Sequence, residues 1–320
     1  MADLYYGIAA CNEENRIGKC FESLALQDID GAEVETIVCL NGCNDGTGIA
    51  VEEAQKKYPK LNIKVVHSRK GKVFAHNEII RQIREDEKTV AFVDGDVHLD
   101  KRAIGILYRE LEELNCLQAV GGWPVPYRPA NLSLWESFLY EILYARALFP
   151  KAEVSVHDVS DYKPFADTHP QPEIDSDFEK RSKIYFHGRL FMLRNKGIFE
   201  MPEDENLADD SFLPNMIHTN YGPGSSRTRY DAIAYYEPYL SLPNHFKAYQ
   251  RVDAQLRYLD SHFKEFTKSR EMEQTRLDWD YIRSEGLTNI LRFVAYSIIR
   301  KAEYIGYRLL PKRSPAELWK

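Results

Sequence analysis

Thr89-Val90-Ala91-Phe92-Val93-Asp94-Gly95-Asp96-Val97-His98 is the stretch on which the reading of the fold turns. Its opening residues are apolar and β-branched, the composition of a strand buried on both faces. The run then stops at two acids separated by one glycine. In an open α/β sheet, ligands bind beyond the carboxyl ends of the strands. Continued in extended form, the run points Asp94, Asp96 and His98 to one side. Two hard oxygen donors and an imidazole suit a divalent cation that carries a phosphate. The simpler reading is a polar turn, because Asp and Gly are common turn residues and Asp100 can cap the next helix. The spacing alone does not choose between them.

Upstream, residues 5–11 read as a strand that ends at Asn12-Glu13-Glu14-Asn15, and Ile17, Cys20, Phe21 and Leu24 form one helical face. Residues 35–40 are the next strand, ending at Asn41-Gly42-Cys43-Asn44-Asp45-Gly46-Thr47, with Asp45 placed to cap the helix of Ile49, Ala54 and Tyr58. Residues 63–67 follow, and Arg69-Lys70-Gly71-Lys72 opens a helix carrying Ile79, Ile80 and Ile83. Downstream, Ile104, Leu107, Leu111 and Leu114 mark a helix and residues 117–121 a short strand. Strands alternating with helices across short polar joints predict an α/β fold, a mainly parallel Rossmann-like sheet with helices on both faces. Neither G-x-G-x-x-G nor G-x-x-x-x-G-K-[ST] occurs, so a nucleotide needs another mode of capture.

In the second half, residues 121–127 read as a stiff loop whose aromatics either stack on sugar rings or pack, and residues 131–149 as a helix with a mostly core-facing aromatic side. Residues 151–183 lack periodicity and offer His157 and His169. Residues 184–193 return as a strand containing His187-Gly188-Arg189, where glycine marks a close approach. Asp209 and Asp210 precede an expected helix over 212–218, as caps or as a catalytic pair. Residues 221–229 form a basic loop whose Arg227 and Arg229 either bind phosphate or are solvated. His245, Gln250 and Arg251 begin the next helix as weaker donor-side candidates.

Composition narrows the class. A net charge of −7 over 320 residues argues against nucleic acid as a partner. Cys11, Cys20, Cys39, Cys43 and Cys116 are odd in number and lack zinc spacing, which suits reduced, buried thiols in a cytoplasmic chain. No secretory signal or membrane span is evident. Residues 286–312 combine an apolar helical face with bounding bases, suited to a membrane surface on its inner side, a homo-oligomer contact or packing on the domain itself.

Ala9-Ala10-Cys11-Asn12-Glu13-Glu14, Asn41 to Thr47, Lys70-Gly71-Lys72 with Asn77, Asp94-Gly95-Asp96 and Ala208-Asp209-Asp210 occur in order, and together they resemble the inverting family 2 glycosyltransferases of GT-A fold. The resemblance covers about residues 4 to 260. It implies a glycosyltransferase domain over 1–265, with a nucleotide-sugar half (1–122) and an acceptor half (123–265), and a C-terminal helical extension over 266–320. It implies a UDP- or GDP-linked sugar as donor. The acceptor is a saccharide, a lipid-linked or another hydroxyl compound, and the cation is Mn²⁺ or Mg²⁺. By position, Ala9, Cys11, Glu13 and Asn41 line the base and ribose, and Lys72, Asn77 and Gly95 approach the donor. Asp94 and Asp96 anchor metal and diphosphate, and His98 stands where some members place a third ligand. Asp210 matches the base and Asp209 its partner. Leu40 departs from the pattern, because many members carry an acid there that contacts the base. Val252-Asp253 replaces the usual ending after Gln250-Arg251. A nucleotidyltransferase of related fold and a catalytically inactive sugar- or nucleotide-binding scaffold are the competing readings.

Overall fold

The structure is a computed structural model that describes residues 4–29, 31–83, 89–156, 185–194, 200–222, 225–266, 274–310 and 313–318. His157 and His169 lie outside the described residues. The first half alternates β1 (Leu4–Ala10), α1 (Ile17–Ala25), β2 (Val34–Asn41), α2 (Thr47–Lys57), β3 (Ile63–Ser68), α3 (Lys72–Gln82) and β4 (Thr89–Asp94). Next come β5 (His98–Leu99), α4 (Ala103–Glu113), β6 (Ala119–Pro126), α5 (Leu134–Leu143), α6 (Ala145–Leu148) and β7 (Glu153–Val156). The second half comprises β8 (Leu190–Arg194), α7 (Asp209–Tyr221), β9 (Ser226–Tyr236), α8 (Leu242–His262), β10 (Gln274–Leu277), α9 (Trp279–Ser284), α10 (Leu287–Arg308) and α11 (Pro315–Leu318).

The main sheet runs β3-β2-β1-β4-β8-β6-β9-β5, and β7 pairs with β10 apart from it. Strands β1 to β4 are parallel, and β8 enters antiparallel between β4 and β6. Alternation along the strands divides the core between two faces, as a sheet covered on both sides requires. Tyr6, Ile8, Ala91 and Val93 pack with Phe21 of α1 and Leu107 of α4, whereas Tyr5, Val90 and Phe92 pack with Ile79 of α3 and Phe212 of α7. Ala9 stands opposite Cys39 and Asp94, and Asn41 opposite Ser68, so this parallel register delivers the expected site residues to one edge.

Several local expectations are corrected. The 89–98 run does not stay extended: it turns at Gly95, with the Val97 N–H donating to the Asp94 carbonyl at 3.3 Å. Residues 121–126 are strand, not loop, and Trp123 is buried with its Nε1–H donating to the Ala147 carbonyl at 2.9 Å. The helix expected over 131–149 starts at a Ser133–Glu136 capping box and breaks at Tyr144. Its Trp135 and Phe138 are exposed rather than core. His187 and Gly188 precede β8 instead of lying inside it. All five cysteines are unpaired, although Cys11, Cys43 and Cys116 are only half-buried.

The helical extension docks through α10, which buries Phe293 and Tyr307 and joins Arg292 to Glu141 of α5 (2.8 Å). Glu303 of α10 receives His245 Nδ1 of α8 at 2.5 Å. His245 therefore fastens the extension rather than facing a donor. No described helix is long and apolar enough to cross a membrane.

Candidate active site

Three polar joints are stitched together at the sheet edge. Asn12, in a left-handed conformation (φ 60°), accepts the Asn44 N–H at 2.9 Å through its side chain. The Glu13 N–H donates to Thr47 Oγ1 (2.7 Å), and Glu14 accepts the Gly46 N–H (2.7 Å). Asp45 takes the Thr47 N–H at 3.0 Å, but the N-cap of α2 is Gly46 and not Asp45 as expected. Asn41 is buried and accepts the Gly71 N–H at 2.7 Å, which fixes the turn that launches α3. Gly71 sits at φ 133°, and a Cβ there would strike Phe74, so glycine is required.

That turn aims Lys72 into the centre of the site. Its ammonium lies 2.7 Å from Asp94 Oδ1, 3.0 Å from Asp209 Oδ2 and 2.9 Å from the Gly188 carbonyl. Burial alone would lower the lysine pKa, but the Asp209 and Asp94 carboxylates outweigh it and raise it. Asp209 and Asp210 occupy the first turn of α7, with Ala208 as the N-cap, so neither acid caps the helix by itself. Burial raises Asp209, and Lys72 partly offsets this. Asp210 is pushed up to about 6 by burial and then by the adjacent Asp209 charge. Behind Asp209, His76 packs at a tilt against Phe92 (ring centroids 4.3 Å apart) and is lowered to about 3 by burial and Lys72, so it is neutral. Sequence reasoning missed His76, whose place on the buried side of α3 was the available signal.

Gly188 closes the back of this cluster. A Cβ there would fall 2.9 Å from Asp209 Oδ2 and 3.0 Å from Lys72 Nζ, so the close approach expected of this glycine is to the Lys72–Asp209 pair. Gly188→Ala is expected to cost about 1–3 kcal/mol of stability and to lower turnover at least about tenfold by displacing Lys72. Urea unfolding together with steady-state kinetics checks both.

Glu13, Asp94 and Asp96 form the acidic side. Gly95 lies against Ala10 and Glu13, where a Cβ would come within 3.4 Å of Ala10 Cβ and Glu13 Cγ, an ordinary packing distance. Burial, followed by the Asp96 charge, pushes Glu13 up to about 7 even with Arg16 Nε at 2.7 Å. Burial and Asp94 likewise raise Asp96. Carboxylates held together against their own repulsion fit a cation. No group of three or more His, Cys, Asp or Glu able to hold a metal exists among the described residues. A divalent ion bound through two carboxylates, phosphate oxygens and water needs no such cage, so Asp94 and Asp96 fit that kind of ion.

His98 does not join them. The turn at Gly95 swings it onto Tyr235 (5.2 Å, stacked), where burial and Lys19 lower its pKa. Asn77 is also set apart: its side-chain amide donates to the Met201 carbonyl (2.6 Å) and accepts the Met201 N–H (3.0 Å). Asn77→Ala is therefore expected to lower stability by about 1–3 kcal/mol while leaving nucleotide affinity unchanged, as unfolding and calorimetry would report. Cys11 is half-buried, with burial and Cys43 raising its thiol. Leu40 packs on the core beside Gly48. Arg227 and Arg229 form no phosphate loop: they lie on β9, where both pair with buried Glu110 of α4, Arg227 at 2.7 Å.

A mainly parallel sheet flanked by helices, with acids gathered at its carboxyl edge and a C-terminal helical extension, is the Rossmann-like GT-A type of fold. The family model described as glycosyl transferase family 2 matches residues 7–165, about half of the chain. The chain belongs to that family. No curated protein matches it in sequence. Among solved structures it is similar to the mannosyltransferase PcManGT from Pyrobaculum calidifontis in complex with GDP-Man and Mn²⁺. That match has 15% identity and a TM-score of 0.53, covering 95% of this chain and 75% of the other. It is also similar to S. aureus TarS 1-349 in complex with UDP-GlcNAc (18% identity, 83% and 69% covered, TM-score 0.49). The first of these likenesses speaks for the fold.

Proposed function

We propose that the chain moves a sugar from a nucleotide-diphospho-sugar to an acceptor hydroxyl with inversion at the anomeric carbon, with Asp210 as the base. The observation that carries this reading is Asp210 itself, held beside the Lys72–Asp94 pair at the start of α7 with a carboxyl near pH 6. Such a carboxylate is ionised at neutral pH yet basic enough to take a hydroxyl proton in the transition state. The acceptor oxygen forms its bond to the anomeric carbon as the bond to the diphosphate breaks, and the hydroxyl proton passes to Asp210.

Asp209 does not compete for that proton, because it is buried against Lys72. Asp94 and Asp96 would hold a divalent cation together with the donor diphosphate. When bound, that cation offsets the charge developing on the leaving group. Lys72, about a quarter exposed, adds a fixed positive charge from the protein side. Ala9, Cys11, Glu13 and Asn41 lie on or beside the strand ends where base and ribose would sit. The aliphatic Leu40 leaves base selection to the backbone and to these neighbours. PcManGT, with GDP-Man and Mn²⁺, offers a parallel for donor and cation.

The pH dependence follows in sign. Below about pH 6 Asp210 is protonated and cannot act as base, so kcat/KM is expected to rise with pH through about 6 and then level. A profile that stays flat from about pH 5 to 8 would count against Asp210.

A further inference from the structure

We propose that the His187–Arg189 pair beside Asp210, with the charge of Arg251 acting on both His187 and Asp210, binds an anionic group, a phosphate or a carboxylate, carried by the acceptor. This rests on the glycosyltransferase reading and names the acceptor class. Arg189 is anchored at the sheet edge, where its carbonyl takes the Asp94 N–H at 3.1 Å. Its guanidinium lies 3.8 Å from the Tyr236 ring centroid, which fixes the plane of the fork. One arm stands 3.1 Å from His187 Nε2, and the Arg189 backbone N–H points at His187 Nδ1 at 3.3 Å. A neutral imidazole accepts at one nitrogen and carries a proton on the other, so one of these contacts sets donor against donor. Arg189 Nε is buried with no hydrogen-bond partner.

The surroundings add positive charge. His187 stays well below its usual pKa through burial and then through Arg189, Lys72, Arg146 and Arg251. Arg146 of α6 is held by Glu153 at 2.8 Å, and Arg251 of α8 also acts on Asp210. Arg189 also acts on Asp96, yet its buried Nε keeps a donor without an acceptor, and a ligand that only accepts, with negative charge, satisfies it. Arg146 and Arg251 belong to the second half of the chain, which assigns the anion to the acceptor rather than to the donor diphosphate at Asp94 and Asp96.

The test is calorimetry on protein saturated with Mn²⁺ and UDP or GDP, titrated with inorganic phosphate and separately with acetate. The wild type is expected to bind at least one of the two, which also tells phosphate from carboxylate. Arg189→Gln should weaken that binding by about tenfold or more, and Arg189→Lys by less, with nucleotide affinity changed by no more than about twofold. Loss of nucleotide binding in Arg189→Gln would give the arginine to the donor and overturn the proposal. Binding of neither anion by the wild type would overturn it as well. If no nucleotide binds at all, the glycosyltransferase reading fails, and the same titrations on the free protein decide the anion site.

Independently, we infer that the outer face of α10 rests on an anionic membrane surface. Leu287, Leu291, Val294, Ile298, Ile305 and Leu309 fall on one stripe, with Leu309 81% exposed. On α5, which α10 meets through Arg292 and Glu141, Leu134 (93% exposed) and the stacked Trp135 and Phe138 rings are exposed as well. An exposed apolar stripe running the length of a 22-residue helix is uncommon on a monomer. On α10, Arg292 is held by Glu141 of α5 and Arg300 by Glu303, the helix's one acid, which His245 also binds, and Lys301 and Arg308 add two further cations in a chain of net charge −7. Lys301 and Arg308, both exposed and seven positions apart, flank the stripe on one side. Two copies meeting on this face would bring those cations together, whereas anionic headgroups complement them.

Co-sedimentation is expected with phosphatidylcholine vesicles containing phosphatidylglycerol and much less with phosphatidylcholine alone. Leu291→Glu combined with Ile298→Glu should reduce binding about tenfold or more, at unchanged Tm because both side chains are exposed. Sedimentation unaffected by the double change, or absent from the wild type, would overturn the inference. So would a wild-type dimer that the double change dissociates.

Discussion

Asp210→Asn is expected to lower kcat by about 10²- to 10⁴-fold while changing the affinity for nucleotide and Mn²⁺ by no more than about twofold. Asparagine has nearly the shape of aspartate, so the first turn of α7 and the contacts of Asp209 should persist. What disappears is the capacity to receive a proton. Asp209 cannot supply it, being buried with Lys72 Nζ 3.0 Å from its Oδ2. Neutral His76 lies behind Asp209. Steady-state kinetics and calorimetry on the same preparation separate the two effects. A kcat within about tenfold of wild type would move the base elsewhere.

Lys72→Met carries the second large effect, on the fold as much as on the reaction. One ammonium neutralises Asp94 and Asp209 and acts on Asp210, so removing it leaves carboxylates facing one another in a largely buried site. Breaking such a group by deleting one partner costs about 3–5 kcal/mol. The sign with pH is definite. The lysine stabilises ionised Asp209 and Asp210, so the deficit is greatest where these two are charged and shrinks as they protonate. Urea midpoints of variant and wild type should therefore lie further apart at about pH 7.5 than at about pH 4.5. The Asp210 pKa should also climb once a lowering charge is gone, carrying any residual activity to higher pH. Equal midpoints at both pH values would show that Lys72 is not the hub of the site.

The sheet was legible because its signals are local. Apolar β-branched runs such as 89–93 and helical spacing such as Ile104, Leu107 and Leu111 suffice to mark buried strands and amphipathic helices, and the polar joints between them mark one edge. Lys72 was marked by the family resemblance, through Lys70-Gly71-Lys72, and not by periodicity. The misreadings share a different cause. Arg227 and Arg229 follow a glycine-bearing stretch and look like a loop, but the acid that holds them lies on α4, 119 positions from Arg229. No local pattern shows that partner. His98 was placed by assuming that the strand continues through Gly95, where the chain in fact turns. Asn77 lies five residues beyond Lys72, about 140° around the helix, so the two could not share a face, and that was readable from the sequence. Arg189 was visible, but its significance lies in Tyr236 and His187, which only the folded chain assembles around it.

The central claim is that a nucleotide-sugar is cleaved at this edge with help from a divalent ion and Asp210. The most direct measurement is release of nucleoside diphosphate from a panel of UDP- and GDP-sugars, with Mn²⁺, with Mg²⁺ and with chelator. One donor or a small set should be turned over by the wild type only with metal, faster when a hydroxyl acceptor is supplied, and Asp96→Ala and Asp210→Asn should each fall to near background. Release that persists undiminished in chelator, or that Asp210→Asn sustains at the wild-type rate, would contradict the account.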